Sequence, residues 1–279
     1  FESPVEHAEG DSAARLQALV SPFVLRRVKE EVVADLPEKI EDTVMAQLTG
    51  EQRKLYLANQ DRIAQQVQHR EAGEFKKDKL KVLAELTKLR QICCDPHLHY
   101  ADYKAGSAKL DTCMELVHGA LDGGHRILLF SQFTGMLDII GKRLVKEDIA
   151  FLKLTGASSK ESRAKMVAQF QAGEVPVFLI SLKAGGVGLN LTAADVVIHY
   201  DPWWNVAAQD QATDRAHRIG QQHTVTVYKL IAKDTIEERI MQMQESKRDL
   251  VNSVLGGDGI SSALFTREDV LALLGGDGR

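Results

Sequence analysis

Between Gly106 and Ala232, five short apolar runs alternate with amphipathic segments, and this alternation constrains the fold more than any other feature. The runs are mostly apolar without a regular alternation of polar residues, unlike strands that keep one face in water. Continuous apolar strands separated by helices are typical of a parallel sheet covered on both faces. We therefore predict an α/β fold with a mostly parallel sheet and helices on both faces. The predicted strands are Ile127–Phe130, Phe151–Leu154, Val177–Ile180, Val196–Tyr200 and Val225–Leu230, and the predicted helices are Lys109–Leu121, Met136–Val145, Lys160–Phe170 and Val206–Ala216.

The residues before this region have a mostly helical pattern. From about Ser12 to about Tyr100, long charged stretches carry apolar residues at three- and four-residue spacing. The pairs Leu36–Pro37 and Thr49–Gly50 interrupt the pattern. We therefore expect an N-terminal helical segment ahead of the sheet.

Two C-terminal helices are expected after the sheet. The first runs from Thr235 to about Leu255. The second lies between two flexible GGDG stretches, where Thr266-x-x-Asp269 can cap a short helix with apolar residues at 270, 271, 273 and 274. Such a helix is typical of a packing element. We divide the chain into residues 1–105, 106–234 and 235–279.

The composition excludes several classes of protein. No apolar run approaches the ~18 residues that span a bilayer, so we expect no membrane partner. The first residues do not form a signal peptide and include no initiating Met, so we expect the chain to begin inside a longer protein. Cys93, Cys94 and Cys113 are too few and wrongly spaced for a disulfide framework or a zinc site. We expect them to be buried in a protein of a reducing compartment.

The charge of the chain does not favour broad binding to nucleic acid. Its formal net charge is −4 at pH 7, whereas a nucleic-acid-binding face is usually strongly basic. Any contact with DNA or RNA must therefore be local and made by a few placed groups.

Two glycine-containing motifs resemble nucleotide-binding loops but lack the residues that such loops need. Gly186-x-Gly188 begins like a dinucleotide fingerprint, but Leu191 occupies the third glycine position and no helix opens there. Gly141-Lys142 ends like a phosphate loop, but Arg143 replaces the hydroxyl residue that holds magnesium. We therefore predict that this chain alone cannot cradle and hydrolyse a nucleoside triphosphate, and that it has no metal site of its own.

The segment QATDRAHRIGQ carries the first chemical signal. Gln211, Arg215 and Arg218 are separated by four and three residues, so on a continuous helix they share one face. Two guanidinium groups and an amide suit an anion with several oxygens. The helix alone equally supports local pairing of the arginines with Asp210 and Asp214.

The loop SLKAGGVGLNLT carries the second signal. Its glycines at 185, 186 and 188 allow close backbone approach and expose N–H groups that can bind an anion. Its polar side chains suit a phosphate backbone, which positions a protein without reading sequence. A tight turn after a strand is the structural alternative. The polar donors are Ser181, Lys183, Asn190 and Thr192.

The segment DPWWN, after the predicted strand ending at Tyr200, carries the third signal. Two adjacent tryptophans at the carboxyl end of a strand are unusual for an exposed loop. We expect one to pack in the core and the other to face a groove, where a flat side chain can stack against nucleic acid. The spacing does not distinguish which residue does which.

Taken together and in this order, these segments resemble the carboxy-terminal RecA-like lobe of SWI/SNF-family ATPases. The resemblance covers nearly the whole chain. SPFVLRRVKEEVVADLPEK resembles the passage out of the first lobe, and LTGEQRKLY with LTKLRQICCDPHL resembles the helical insertion of the second. ILLFSQFTGMLDII resembles motif IV, SLKAGGVGLNLT motif V, and DPWWN with QATDRAHRIGQ the stretch through motif VI. Val206 and Asp210 depart from the usual family residues, and we expect them to tune the activity.

The resemblance implies roles for the matched residues. Arg215 and Arg218 would be arginine fingers that reach ATP bound on the first lobe, Gln211 would assist them, and Gly188 would approach the nucleotide. Trp204 would couple DNA contact to closure of the two lobes. The residues implied to touch the DNA backbone are Ser131, Gln132, Thr155, Gly156, Lys183, Gly185, Gly186, Asn190 and Thr192.

The resemblance also implies partners. They are double-stranded DNA, the first RecA-like lobe of the same protein, ATP with Mg²⁺ held mainly by that lobe, and a protein substrate on DNA. Because Cys-rich and basic tails are absent from this sequence, a bacterial-type member acting in the cytoplasm at the nucleoid is favoured. Two alternatives stay open: a non-catalytic interaction module with the same fold, and an RNA helicase lobe.

Overall fold

A six-stranded parallel sheet forms the centre of the computed structural model, which describes residues 36–69, 72–184, 188–203, 206–244 and 267–275. The strand order is β1-β6-β5-β2-β4-β3, and each neighbouring pair is parallel. The predicted parallel sheet is therefore confirmed. The strands are β1 (Lys39–Gln47), β2 (Ile127–Ser131), β3 (Phe151–Leu154), β4 (Val177–Ser181), β5 (Val196–His199) and β6 (Val225–Lys233).

The central strands are buried along their whole length. All residues of β2, β4 and β5 are buried, as expected for apolar strands with both faces covered. The five strands predicted from apolar runs agree with the observed ones to within a few residues at each end. Burial of the apolar runs therefore determines where these strands lie.

Helices cover both faces of the sheet, and their ends follow from local capping. Ser107 caps α3 by accepting a hydrogen bond from the Leu110 amide, and Ser159 caps α5 by accepting one from Ser162. Gly173 ends α5 with a φ of 81°, which favours glycine. The helices are α1 (Gly50–Gln68), α2 (Ala72–Cys94), α3 (Ala108–Asp122), α4 (Thr134–Lys146), α5 (Lys160–Ala172), α6 (Val206–Thr213), α7 (residues 236–244) and α8 (Arg267–Leu273).

Apolar side chains form three clusters. One packs α3 and α4 on one face of the sheet, and another packs α5 and α6 on the other. The third joins α1, α2, α7 and α8, which we call the outer helical layer, to Ala232 at the end of β6. Val270, Leu273 and Leu274 are buried in this cluster, so the prediction that the short C-terminal helix packs against the domain is confirmed. Thr266 and residues 245–255 lie outside the described residues.

The expectation of a mostly helical pattern before Tyr100 missed β1. Only one of the nine residues of β1 is fully buried, so the strand has no apolar run. It is held instead by pairing along its full length with β6, from Lys39 opposite Val225 to Gln47 opposite Lys233. The two interruptions in the helical pattern lie just outside its ends. The helices α1 and α2 confirm the rest of the expectation from residue 50 onward, and residues 12–35 lie outside the described residues.

Two further predictions from the sequence can be checked directly. Cys93, Cys94 and Cys113 are free and buried, as expected, and burial raises the pKa of each thiol. Gly141 lies inside α4, where a Cβ would come within 3.0 Å of the Phe151 ring. This glycine allows a helix to pack closely on β3, which confirms that Gly141-Lys142 is not a phosphate loop.

Of the helices in the described ranges, none is long and apolar enough to cross a membrane.

Candidate functional site

The carboxyl edge of the sheet carries five of the candidate residues. Because β5, β2, β4 and β3 are consecutive neighbours, the loops that follow them form one continuous edge. Ser131 and Gln132 follow β2, Thr155 and Gly156 follow β3, and Lys183 follows β4. The DPWWN segment follows β5. Gly185, Gly186 and Trp204 lie outside the described residues.

The loop after β2 is bonded internally to the loop after β5. Ser131 is fully buried, and its hydroxyl donates a hydrogen bond to the Asp201 carboxylate. The backbone N–H of Gln132 donates a hydrogen bond to the same carboxylate at 3.2 Å. The side-chain oxygen of Gln132 accepts a hydrogen bond from the Arg90 guanidinium at 3.1 Å. A phosphate contact by the Ser131 side chain therefore requires the Asp201 bond to open, whereas Gln132 is partly exposed. Asp201 and Arg90 were not singled out in the sequence, since their partners are distant along the chain.

The loop after β3 presents a turn to solvent. Gly156 is exposed, and a Cβ built on it would meet no atom within 4 Å. The Arg163 guanidinium lies against this turn, donating to the carbonyl oxygens of Ser158 at 3.1 Å and Thr155 at 3.4 Å. The sequence analysis missed Arg163, which adds a positive charge beside Thr155 and Gly156. Its position one turn into α5 was the only available signal.

The glycine loop crosses from one edge of the sheet to the other. Lys183, Gly188 and Asn190 are exposed, and Gly188 has a φ of 39°, in the left-handed region that favours glycine. Thr192 lies near the opposite edge, where its side chain accepts a hydrogen bond from Gln171 at 3.3 Å and its carbonyl oxygen one from Gln221 at 3.1 Å. Thr192 therefore lies away from the candidates in the loops after β2, β3 and β4.

The predicted helix Val206–Ala216 is too long, and the single face for Gln211, Arg215 and Arg218 is wrong. The helix α6 ends at Thr213, so Gln211 alone of the three is helical. Beyond it, the amides of residues 215 and 216 bond to carbonyls only three residues back, which tightens the chain into turns up to residue 220. The Leu191 amide donates to the Arg215 carbonyl oxygen at 3.0 Å. This contact from the glycine loop occupies an acceptor that a longer helix would use.

Arg215 is a buried cation. Its residue is 8% exposed, and its Nε atom, although buried, has no hydrogen-bond partner among the described residues. Burial lowers its pKa and the nearby Arg218 charge lowers it further, while the Asp214 carboxylate opposes both and is outweighed. An anion placed against this guanidinium would act in the same sense as the Asp214 charge and stabilise the cation. Arg218 and Gln211 are exposed beside it.

The described residues do not form a metal centre of their own. No three His, Cys, Asp or Glu side chains of the described ranges lie close enough together to hold an ion. The donors at the site are guanidinium, amide and backbone N–H groups, which bind anions and not Mg²⁺. The site thus suits phosphate oxygens.

The fold and this set of donors define a parallel α/β lobe with groups suited to anions at the edge of its sheet and along the turn after α6. Residues 108–220 match the Helicase conserved C-terminal domain family, and residues 1–98 match the SNF2-related domain family. The chain is similar to the solved C-terminal domain of the Sulfolobus solfataricus SWI2/SNF2 ATPase, with 32% identity over 85% of this chain and 98% of that one and a TM-score of 0.68. The chain belongs to the SWI2/SNF2 ATPase family and corresponds to its carboxy-terminal lobe.

Longer relatives show the same similarity. The Sulfolobus solfataricus SWI2/SNF2 ATPase core in complex with dsDNA is 35% identical, with 98% of this chain and 58% of that chain covered and a TM-score of 0.71. The putative ATP-dependent helicase/translocase YwqA of Bacillus subtilis is 40% identical over 264 residues, which are 91% of this chain and 28% of the relative. The chain spans about a quarter of the length of the curated relatives that it matches.

Proposed function

We propose that this chain is the second motor lobe of an ATP-dependent translocase on double-stranded DNA. In this proposal the lobe supplies arginine fingers to ATP hydrolysis and holds the DNA backbone. The observation that carries it is the buried Arg215 guanidinium beside the exposed Arg218. The printed names of the relatives, ATP-dependent helicases and an ATPase core with dsDNA, support the same class of activity.

Arg215 and Arg218 act on ATP held by a first lobe. A guanidinium group stabilises the charge that develops on the transferred phosphoryl group, which is worth about 10³–10⁵ in rate. Arg215 is suited to this because its buried Nε still lacks a partner in the described part of the chain. Gln211 assists from α6, and Gly188 approaches the nucleotide without a side chain. Mg²⁺ enters with the nucleotide on the first lobe.

The DNA contacts are made by exposed groups at the carboxyl edge. Lys183, Asn190 and the Thr155–Gly156 turn offer donors to phosphate oxygens, and these contacts position DNA without reading its sequence. A few placed donors are consistent with the net charge of −4. Arg163 is a further candidate because its charge lies against that turn.

Hydrolysis and DNA movement are coupled through the glycine loop. Lys183 lies near its start, and Leu191 at its end bonds to the carbonyl oxygen of Arg215. Closure of two lobes around ATP would then displace the DNA contacts on one lobe relative to the other, and repeated cycles would move the protein along the duplex. Action on chromosomal DNA places the protein at the nucleoid, where protein bound to DNA would be its target. We also propose that the three parts of the chain meet at residues 105 and 234, as predicted from the sequence.

The test is ATP hydrolysis by this chain alone and mixed with a separately made first lobe, with and without duplex DNA. Activity that appears only in the mixture with DNA supports a split motor. Silence in a mixture shown by gel filtration to associate would favour a non-catalytic interaction module. Stronger stimulation by RNA than by duplex DNA would favour an RNA helicase, and activity of the chain alone would contradict the absence of a phosphate loop.

A further inference from the structure

Two side chains of the outer helical layer donate hydrogen bonds to the start of the DPWWN segment. Arg90 of α2 donates from Nη2 to the Pro202 carbonyl oxygen. Gln244 of α7 donates from Nε2 to the next carbonyl oxygen, that of Trp203. Two consecutive carbonyl groups are thus bonded to helices that lie outside the sheet and carry none of the candidate DNA contacts.

Arg90 also bonds to the loop after β2. Its Nη1 donates to the Gln132 side-chain oxygen at 3.1 Å, and the guanidinium lies 5.7 Å from the centre of the Phe133 ring. Asp201 connects the same two loops through Ser131 and the Gln132 amide. One buried arginine therefore fixes the outer helical layer to both loops.

A pocket adjoins the segment. A cavity of about 70 Å³ lies between the segment, α6 and α7, with Pro202, Val206, Met241 and Gln244 in its lining. The hydrogen bonds from Arg90 and Gln244 hold the segment beside this pocket.

We propose that Arg90 and Gln244 are positioning residues that set the orientation of the segment at residues 202–203 for DNA. The inference rests on the proposed function, because that function takes the carboxyl edge of the sheet, where the segment and Gln132 lie, as the edge that faces DNA. It extends that function, because the outer helical layer then influences how the lobe binds DNA. Neither side chain need touch the nucleic acid.

The chain provides its own reporter for this arrangement. Trp203 and the adjacent Trp204 are its only tryptophans, so all tryptophan fluorescence comes from this segment. Gln244→Met keeps the length of the side chain and removes the donor. Gln242→Met is the matched control, since Gln242 is exposed on the same helix. Arg90→Lys keeps the charge but loses the planar fork that reaches two acceptors.

The first experiment measures tryptophan emission and acrylamide quenching of the 279-residue chain without DNA, with far-UV circular dichroism to verify folding. Loss of one hydrogen bond should raise the population of the released segment roughly fivefold, seen as stronger quenching in Gln244→Met and not in Gln242→Met. Unchanged emission and quenching in a folded Gln244→Met chain would overturn the proposal. If Arg90→Lys does not fold, the Gln244 pair of variants still decides the question.

A second experiment separates this inference from the proposed function. In a protein with both lobes, Gln244→Met should raise the duplex DNA concentration that gives half-maximal ATPase stimulation, while kcat at saturating DNA changes little. A shift in fluorescence with no change in DNA dependence would reject positioning for DNA. Wild-type activity that does not respond to DNA at all would instead reject the proposed function, whatever the fluorescence shows.

Discussion

The amide nitrogen of Leu191 donates a hydrogen bond of 3.0 Å to the carbonyl oxygen of Arg215. This bond ties the end of the glycine loop to the turn that carries both candidate fingers. Leu191 is itself buried, so the tie is anchored in the core and does not depend on solvent-exposed chain. Displacement of the loop is therefore transmitted to the backbone of Arg215.

Replacing Arg218 should abolish most catalysis without unfolding the lobe. Arg218 is exposed, so Arg218→Ala removes a charge from the surface and leaves the core intact. In a protein with both lobes, we expect DNA-stimulated kcat to fall roughly 10³-fold or more. Steady-state ATPase measurements at saturating DNA test this, with Arg53→Ala, an exposed arginine of α1, as the control. Equal turnover in the two variants would contradict the finger assignment.

Replacing Lys183 should weaken DNA binding equally for all sequences. If Lys183 contacts one phosphate, Lys183→Gln reduces the slope of log affinity against log salt concentration by about 1. Fluorescence anisotropy with two unrelated duplexes across a salt series measures this slope. Lys142→Gln is the matched control, since Lys142 is exposed on α4 in the sequence that only resembles a phosphate loop. An unchanged slope for Lys183→Gln would exclude the contact.

The buried ion pair between Lys109 and Glu237 should be essential for stability. Both side chains are fully buried, with Nζ 2.5 Å from Oε2. Burial lowers the pKa of Lys109, but the Glu237 charge, the nearby Cys94 and Asp201 and the hydrogen bond to Glu237 together outweigh it, so the net pKa is raised. Glu237→Gln leaves an unpaired buried cation and should lower the free energy of unfolding by roughly 3–5 kcal/mol.

Urea unfolding followed by circular dichroism measures this loss. The double variant Lys109→Met/Glu237→Gln should lose less than the sum of the two single variants, because it removes the unpaired charge together with its partner. Additive losses would mean that the two groups do not interact, despite their geometry.

His199 should make the lobe sensitive to mild acid. Burial, and then the Lys229 charge, lower its pKa to about 3, and Nε2 lies 2.8 Å from the Thr213 hydroxyl. The native state therefore keeps His199 neutral while the unfolded chain takes up a proton near pH 6.5. The contribution of neutral His199 to the free energy of unfolding is fully present above pH 6.5. It is lost as the pH falls from 6.5 towards 3, by up to about 1.4 kcal/mol per pH unit.

His199→Gln should flatten this dependence between pH 6.5 and 4.5, measured as the free energy of unfolding in urea at several pH values. Glu41 acts in a lower range: burial raises its pKa, but bonds from Lys229 and Lys39 outweigh this and lower it to about 2. Its contribution is lost only as pH falls from about 4.5 towards 2. The exposed His118 provides the control variant His118→Gln. An equal slope in His199→Gln and wild type would refute the assignment.

The sequence predicts those features that depend on local burial. Five strands have a mostly apolar sequence of their own, whatever strand they pair with: β2, β3, β4, β5 and β6. Their positions could therefore be predicted from the pattern of residues along the chain. The strand β1 could not, since its polar residues are held by backbone bonds to β6. The turn at Arg215 depends on Leu191, and the Arg90 bond to Pro202 joins residues 112 positions apart. Hydrogen bonds between residues so far apart along the chain leave no periodic pattern in the sequence.

The pairing of β1 with β6 also dictates the order of folding. Within the described sheet β1 has β6 as its one neighbour, and Gln47 lies opposite Lys233. During synthesis β1 leaves the ribosome long before its partner does, and contacts so distant along the chain form slowly. The backbone groups of β1 must stay hydrated, or be shielded by another protein, until β6 has emerged. The edge of the sheet at β1 can therefore form only after residue 233 has been made, and we expect a chain truncated before residue 225 to leave β1 unpaired and prone to aggregation.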